Sequence, residues 1–389
     1  MRLLRSIHTL NPAVGGPIES VKQSSAALAQ RGHHVDIISL DAPADPWVRQ
    51  SPVPVYPLGP GRGSYGYAPR FSPWIRERRS EYDAVIVHGI WQYSSLGVWR
   101  ALHGTATPYF VFPHGMLDPW FKRTYPLKHL KKLLYWPWAE YRVLRDAAAV
   151  LFTSDEERRL ARESFSFYRC KEVVVDYGTA APSVNFESAR SDFFNGFPQL
   201  RDQRFLLFLG RLHEKKGCEE LIEAFVAHSS SPNNQALHLL MAGPSADNAY
   251  LLRLKQLASA ARRNTPIVFS GMLSGNMKWG AFSAADAFIL PSHQENFGIA
   301  IVEALACGTP VLISNKVNIW REIVNERAGF ADEDDRAGAA RLIERWVNTP
   351  AEARAAMRSD ARHCFEKHFQ IDSAVDSLLR VLARPNKSI

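Results

Sequence analysis

Short apolar, β-branched runs alternate with helix-period stretches along the whole chain. Repeated in two series, that alternation admits little besides parallel-sheet α/β domains. The first series is RLLRSI (2–7), HVDIISL (34–40), DAVIVH (83–88), PYFVF (108–112), AAAVLFT (147–153) and EVVVD (172–176). The second is RFLLFLG (204–210), ALHLLMAG (236–243), PIVFSG (266–271), DAFILPS (286–292) and TPVLIS (309–314). Between them lies a polar stretch with Pro182, Gly196, Pro198 and several serines, which reads as a linker. At 389 residues the chain can fill two cores. The expected fold is α/β, two Rossmann-like doubly wound domains facing across a cleft: 1–180, a linker at 181–203, and 204–365, followed by a helical tail at 366–389.

In such sheets ligands collect beyond the carboxyl ends of strands, where the following helices point their N-termini. The residues just after these strands are therefore the informative ones. They include Asn11, His88, His114, Ser154, Arg211, Gly271 and Glu295.

Charge narrows the partners. Residues 1–185 hold 23 Lys/Arg against 16 Asp/Glu, while the remainder is nearly balanced at 24 against 23. A basic first half suits an anionic partner, or serves solubility alone. FKRTYPLKHLKKLLYWPWAEYRVLR (121–145) interleaves Lys128, Lys131 and Lys132 with leucines, tyrosines and Trp136. That composition fits an anionic membrane surface, an RNA, or a cover over a core. No stretch reaches the roughly 18–20 apolar residues of a membrane span, and the apolar run at the N-terminus is too short for a signal peptide. Cys170, Cys218, Cys307 and Cys364 show no C-x-x-C spacing. This fits a reducing compartment and argues against a disulfide framework or a zinc site. The expected location is cytoplasmic, in contact with the inner face of the membrane.

Several stretches carry chemistry. Gly15-Gly16 opens a helix after the first strand, either a close approach for an anion or a plain turn. In FLGRLHEKKGCEELIEAF (208–225), Arg211 and Lys216 precede a helix N-terminus. They suit a diphosphate, the guanidinium fork spanning two oxygens and the lysine acting as a point charge, or form a solvated turn. His114 follows a strand in FVFPHGMLDPW, with Asp118 four residues on and His88 in a similar setting. Ser154 and Glu157 form a capping box. SHQENFGIAIVEALACGTPVLIS (292–314) sets Glu295 on a loop and Glu303 inside the helix that follows.

Together these pieces resemble the retaining family 4 glycosyltransferases of GT-B architecture, bacterial enzymes of polysaccharide and lipopolysaccharide assembly. The resemblance rests on Gly15-Gly16, PHGM (113–116), GRLHEKKG (210–217), AADAFILPS (284–292) and the E-x7-E pair Glu295 and Glu303. It implies a hexosyltransferase that takes a nucleoside-diphosphate sugar and serves a glycan or lipid-linked acceptor, with no nucleic-acid partner. Arg211 and Lys216 would hold the diphosphate, Glu295 the sugar hydroxyls and Glu303 the ribose. Backbone N–H groups of Asn296, Phe297, Gly298 and Ile299 would line the sugar and phosphates. Gly15 and Gly16 would lie by the phosphate, Gly271 and Met272 by the base, and His114 by the reactive carbon. His88 and Asp118 are acceptor candidates, and the tail would cross back to the first domain. DYGTA (176–180) departs from the Asn-Gly turn of many relatives.

The chemistry agrees with that implication. Breaking a glycosyl–phosphate bond builds negative charge on the diphosphate, which Arg211, Lys216 and a helix N-terminus can stabilise. A glycosidase pair would face each other across a ring about 5–10 Å apart, which two carboxylates of one loop and helix fit poorly. Retention then means front-side departure and attack, with no metal and no cofactor expected. Two other readings share the architecture: a sugar-nucleotide epimerase and a non-catalytic nucleotide-sugar-binding partner subunit. A nicotinamide dehydrogenase lacks its fingerprint here.

Overall fold

The computed structural model describes residues 1–230, 237–261 and 266–383. Chain contacts divide it into two compact units, Met1–Ala180 with the segment from Ile371 onward, and Ala181–Gln370.

The first unit holds a seven-stranded sheet of β1 (Arg2–Ile7), β2 (His34–Ser39), β3 (Val55–Pro57), β4 (Ala84–His88), β5 (Tyr109–Phe112), β6 (Ala149–Phe152) and β7 (Glu172–Val174). Its order is β3-β2-β1-β4-β5-β6-β7 and every pairing is parallel. Alternate residues feed opposite faces, as the pleat demands. Leu4, Val85, Val87, Val111 and Val150 build one core, and Leu3, Ile86, Phe110, Phe112 and Leu151 the other. The C-terminal helix Ile371–Leu382 adds Val375, Leu378 and Leu382 to this second core. It packs beside the helix Gly16–Gln30, where Arg31 reaches Asp372 at 2.7 Å and Asp376 at 2.5 Å. Residues 384–389 of the expected tail lie outside the described residues.

The second unit holds β8 (Phe205–Leu209), β9 (His238–Ala242), β10 (Ile267–Gly271), β11 (Ala287–Leu290), β12 (Val311–Ser314) and β13 (Gly329–Asp332). The order is β10-β9-β8-β11-β12-β13, again all parallel. Ala236, taken into the second of these strands by sequence, lies outside the described residues.

The stretch 181–203 is not an extended linker. Phe186–Gly196 is a helix, begun where Asn185 Oδ1 accepts from Ser188 N at 3.0 Å. Its fully buried Ala189 and Phe193 face the helix Gly275–Ala284, and a Cβ on Gly280 would meet Ala189 O at 2.0 Å. The polar composition concealed an apolar stripe, so this segment belongs to the second unit. The helix Ala351–His368, part of which fell in the expected returning tail, also stays with that unit. Among the described residues no helix is long and apolar enough to cross a membrane.

Candidate functional site

In each sheet the strand order reverses at the first strand, between β1 and β4 in one and between β8 and β11 in the other. Crevices open at such switch points, outside the carboxyl ends, because successive loops leave toward opposite faces. Arg211 and Lys216 follow β8, Glu295 follows β11, and His88 closes β4.

In the second unit the single turn Glu214–Lys216 is bolted to the end of β11. His293 N donates to Lys215 O at 2.9 Å and Ser292 Oγ donates to the same carbonyl at 3.0 Å. The His293 ring is then clamped by Asp334 at 2.8 Å and Glu220 at 3.4 Å. Bonding to Asp334 first, then Glu220, raises its pKa to about 9. Gly217 leaves the turn at φ +66°, where a Cβ would meet Pro291 O at 2.1 Å. Glycine is therefore required there on two counts.

This fixed turn delivers Lys216 to Glu295, and the two form an ion pair with side chains 17% and 16% exposed. Burial opposes the charge of Glu295, but Lys216, Lys215 and Arg211 outweigh it and lower the carboxyl's pKa. Arg211 itself is exposed. Two helices start beside these groups, Cys218–Ser229 from Gly217 and Ile299–Ala306 from Gly298 at φ +71°, and no side chain caps either. Three cations around one carboxylate, with two uncapped helix N-termini, suit an anion carrying more than one charge.

The loop holding Glu295 is pinned by its backbone. Glu295 N donates to Lys316 O at 3.1 Å, and Asn318 N to Glu295 O at 3.0 Å. Asn296 Oδ1 accepts from Asn318 Nδ2 at 3.1 Å. Phe297 is buried edge-on to Phe369, so its ring anchors the loop and only its backbone can face a ligand. Ile299 begins the helix, and Glu303, one turn in, is buried and accepts from Lys278 Nζ at 2.8 Å. Lys278 sits 4.1 Å from the centroid of Trp279. Nothing in the sequence pointed to it, because a lone lysine on a helix carries no motif. At the end of β10, Gly271 is exposed at φ +70° and accepts from Gly243 N at 2.8 Å, beside an exposed Met272.

In the first unit the chain leaves β1 through Asn11, whose Oδ1 accepts from Ala13 N at 3.0 Å, and reaches Gly15 at φ +124°. Gly16 then opens the helix with Pro17 in its first turn and no side-chain cap. Among the described residues, and apart from its chain neighbours, no heavy atom lies within 4 Å of where a Gly15 Cβ would stand, so the turn is open to an approaching group.

His114 follows β5 at φ +51°, a conformation that few side chains adopt without support. The support comes from Glu157, which accepts from Gly115 N at 2.6 Å and, through its other oxygen, from Thr153 N and Oγ1 at 2.8 Å. Ser154 caps the helix Asp155–Ala161 by accepting from Glu157 N at 3.1 Å. The capping glutamate thus also braces the peptide after His114, a role its sequence signature did not reveal.

His88 is buried at the end of β4, its Nδ1 3.0 Å from His114 Nε2, with the rings stacked 5.3 Å apart. Burial first, then the nearby Arg5 guanidinium, pushes both imidazoles down, His88 well below the usual range and His114 to about 3. They are hydrogen-bonding groups near neutral pH, not titrating ones. Asp118 is largely buried, and its Oδ1 accepts from Trp120 N at 2.8 Å to start the helix Trp120–Thr124.

The basic stretch divides. Lys128 and Lys131 are exposed on the helix Pro126–Tyr135, beside exposed Leu127, Leu130 and Leu134, with exposed Trp138 just beyond it. Trp136, expected at a membrane surface, is instead in the core, stacked 4.4 Å from Phe165 with its Nε1 donating to Ser166 O. Lys132 is folded inward, 4.6 Å from the Trp91 ring, and burial lowers its pKa to about 8. Helical spacing turns both away from the face that carries Leu127, Leu130 and Leu134.

Comparison with known proteins follows this division of the chain. The family model described as Glycosyl transferases group 1 matches residues 190–363, and the Glycosyl transferase 4-like domain matches residues 15–178. The mannosylfructose-phosphate synthase of Agrobacterium fabrum is 30% identical over 180 residues, 42% of this chain and 40% of that protein. This chain therefore spans about two fifths of that relative's length. The alpha-monoglucosyldiacylglycerol synthase of Streptococcus pneumoniae is 25% identical over 90% of this chain and 79% of its own. Anabaena HepE, solved in complex with UDP and glucose, superposes with a TM-score of 0.78 at 17% identity, covering 98% of this chain and 99% of its own. Both halves of the chain thus carry glycosyltransferase domains, and the chain belongs to the family 4 glycosyltransferases of GT-B architecture.

Proposed function

We propose that the protein is a retaining, metal-independent hexosyltransferase that uses a nucleoside-diphosphate sugar. The observation that carries this reading is the cationic cluster of Arg211, Lys215 and Lys216 around Glu295, set between two uncapped helix N-termini. Such a cluster stabilises a departing diphosphate without reorganising, which lowers the barrier to breaking the glycosyl bond. Because these side chains carry the counter-charge, a divalent ion is not required. The E-x7-E pair then reads two parts of one ligand, Glu303 the ribose hydroxyls and Glu295 the sugar hydroxyls. Gly271 and Met272 lie against the base. No carboxylate is assigned as a nucleophile, so retention proceeds by front-side departure and attack, the leaving phosphate taking the acceptor proton.

The first unit takes the acceptor, a glycan or lipid-linked glycan of cell-surface polysaccharide biosynthesis such as lipopolysaccharide. His88 and Asp118 are its polar candidates, while His114 serves the reacting carbon of the sugar and Gly15 and Gly16 serve the donor phosphate. The S. pneumoniae relative's name places it on a diacylglycerol glycolipid, which supports a lipid-linked acceptor here. The exposed leucines and lysines of Pro126–Tyr135 support peripheral contact with the anionic inner face of the cytoplasmic membrane.

The test is thermal shift and nucleoside-diphosphate release over a panel of UDP-, GDP- and ADP-sugars. Wild type is compared with Glu303→Ala and Lys216→Ala. One donor should stabilise the wild type and yield free diphosphate, with both effects lost in the variants. A panel in which no donor binds would overturn the reading.

A further inference from the structure

Arg5 is 1% exposed on β1, and among the described residues no carboxylate bonds to it. Its Nη1 donates to Val21 O at 3.1 Å and Ser24 Oγ at 2.6 Å, both on the helix that Gly16 opens. Among the described residues its Nε has no hydrogen-bond partner, and neither does His88 Nε2. A buried cation without a counter-ion is costly, so its retention calls for a reason beyond packing.

The geometry supplies one. Arg5, His88 and Phe112 line the same small cavity of about 20 Å³, enough for one water-sized molecule. His88 faces that cavity and turns its other nitrogen, Nδ1, to His114 Nε2 at 3.0 Å. A neutral imidazole carries one proton, so the charge beside one nitrogen decides what the other can do.

We infer that Arg5 is a positioning residue that sets the tautomer of His114 through His88. The guanidinium favours the lone pair of His88 on Nε2, directly or through one water accepting from Arg5 Nε–H and donating to that nitrogen. His88 then donates from Nδ1 to His114 Nε2, and His114 keeps its own proton on Nδ1. His114 is the less buried member of the pair, so a fixed N–H donor is what it offers a ligand. Tyr177 and Asp176 line the same cavity and do not reverse this order. Tyr177 meets the His114 ring edge-on and its hydroxyl lies beside Ser20 and Arg5, Asp176 is exposed with Arg380 at 3.8 Å, and Glu157 is bonded to Gly115 and Thr153. Burial and Arg5 also keep both rings neutral, as the tautomer argument needs.

This inference rests on His114 serving transfer, but its test does not use activity. In ¹⁵N-histidine-labelled protein, the spectra of His88 and His114 are assigned among 13 histidines by loss of signal in His88→Asn and His114→Asn. Wild type should show both rings protonated at Nδ1 and bare at Nε2 from pH 5.5 to 8.5. Arg5→Met should mix the tautomers and let His88 titrate at higher pH, whereas Arg5→Lys should keep the wild-type pattern. A proton on His88 Nε2 in wild type overturns the inference, even if Arg5→Met does not fold. An unchanged pattern in a folded Arg5→Met overturns it as well. A His114→Ala enzyme with undiminished transfer would instead defeat the functional reading and leave the tautomer result standing.

Discussion

Lys216 and Glu295, 79 residues apart in sequence, form an ion pair because the turn that carries one is bonded to the strand end that carries the other. On the proposed function, a sugar diphosphate entering there would compete with Glu295 for Lys216 and offer Glu295 hydroxyl donors in return. Removing the ammonium should therefore hurt the transition state, in which diphosphate charge grows, more than the ground state. Lys216→Ala is expected to lower kcat by about 10²–10³, the range for deleting one preorganised charge stabiliser, with a smaller change in KM. Initial rates of diphosphate release would check this. A loss confined to KM would remove Lys216 from the chemical step.

Glu303 makes a different prediction, because it is buried on a helix and already bonded to Lys278. A carboxylate that accepts from ribose hydroxyls loses charge-assisted bonds when made an amide, about 1.5–3 kcal/mol in total. Glu303→Gln should thus weaken nucleotide affinity by about 10- to 100-fold, and the loss of the Lys278 pair should lower fold stability as well. Calorimetric titration with the nucleoside diphosphate alone measures the affinity. Equal affinity in wild type and variant would place the ribose elsewhere.

The strands were legible because buried parallel strands read as near-continuous apolar runs. Two strands were not legible. Val55–Pro57 sits at a sheet edge among prolines, and Gly329–Asp332 opens with a glycine that lies against Val311 O. Arg211, Lys216, Glu295 and Glu303 were visible because strand ends and helix starts mark them in sequence. Arg5, Glu157 and Lys278 were not, since each acts through a contact that only the fold creates. Trp136 shows the opposite failure: an aromatic within a basic run read as interfacial, yet tertiary packing claimed its ring.

His293 should make the second unit's stability depend on pH. Its pKa is about 9 in the folded chain, raised by Asp334 and Glu220, against about 6.5 for a free histidine. The raised value means that the contribution is fully present below about pH 6.5 and is lost as pH rises through about 9. Linkage bounds it on the order of 3 kcal/mol, and a unit of this size should lose several degrees of melting temperature. Melting curves from pH 6 to 10 for wild type and His293→Asn provide the check. The wild-type advantage should shrink across that window, and a constant difference would show that the imidazole charge does not matter.

The last prediction separates two kinds of residue within one helix. Lys128 and Lys131 are exposed beside Leu127, Leu130 and Leu134, whereas Lys132 packs on Trp91 and Trp136 lies within the core. A face that inserts leucines and pairs lysines with lipid headgroups gains about 1 kcal/mol per basic residue near an anionic surface. Lys128→Glu with Lys131→Glu should therefore reduce sedimentation with phosphatidylglycerol vesicles by more than tenfold and leave melting unchanged. Leu130→Ser with Leu134→Ser should reduce it as well, but also on neutral vesicles. Trp136→Ala should act on stability instead, costing about 3–5 kcal/mol for the emptied core volume. If charge reversal at Lys128 and Lys131 leaves vesicle binding intact, the exposed face of this helix has some partner other than a lipid surface.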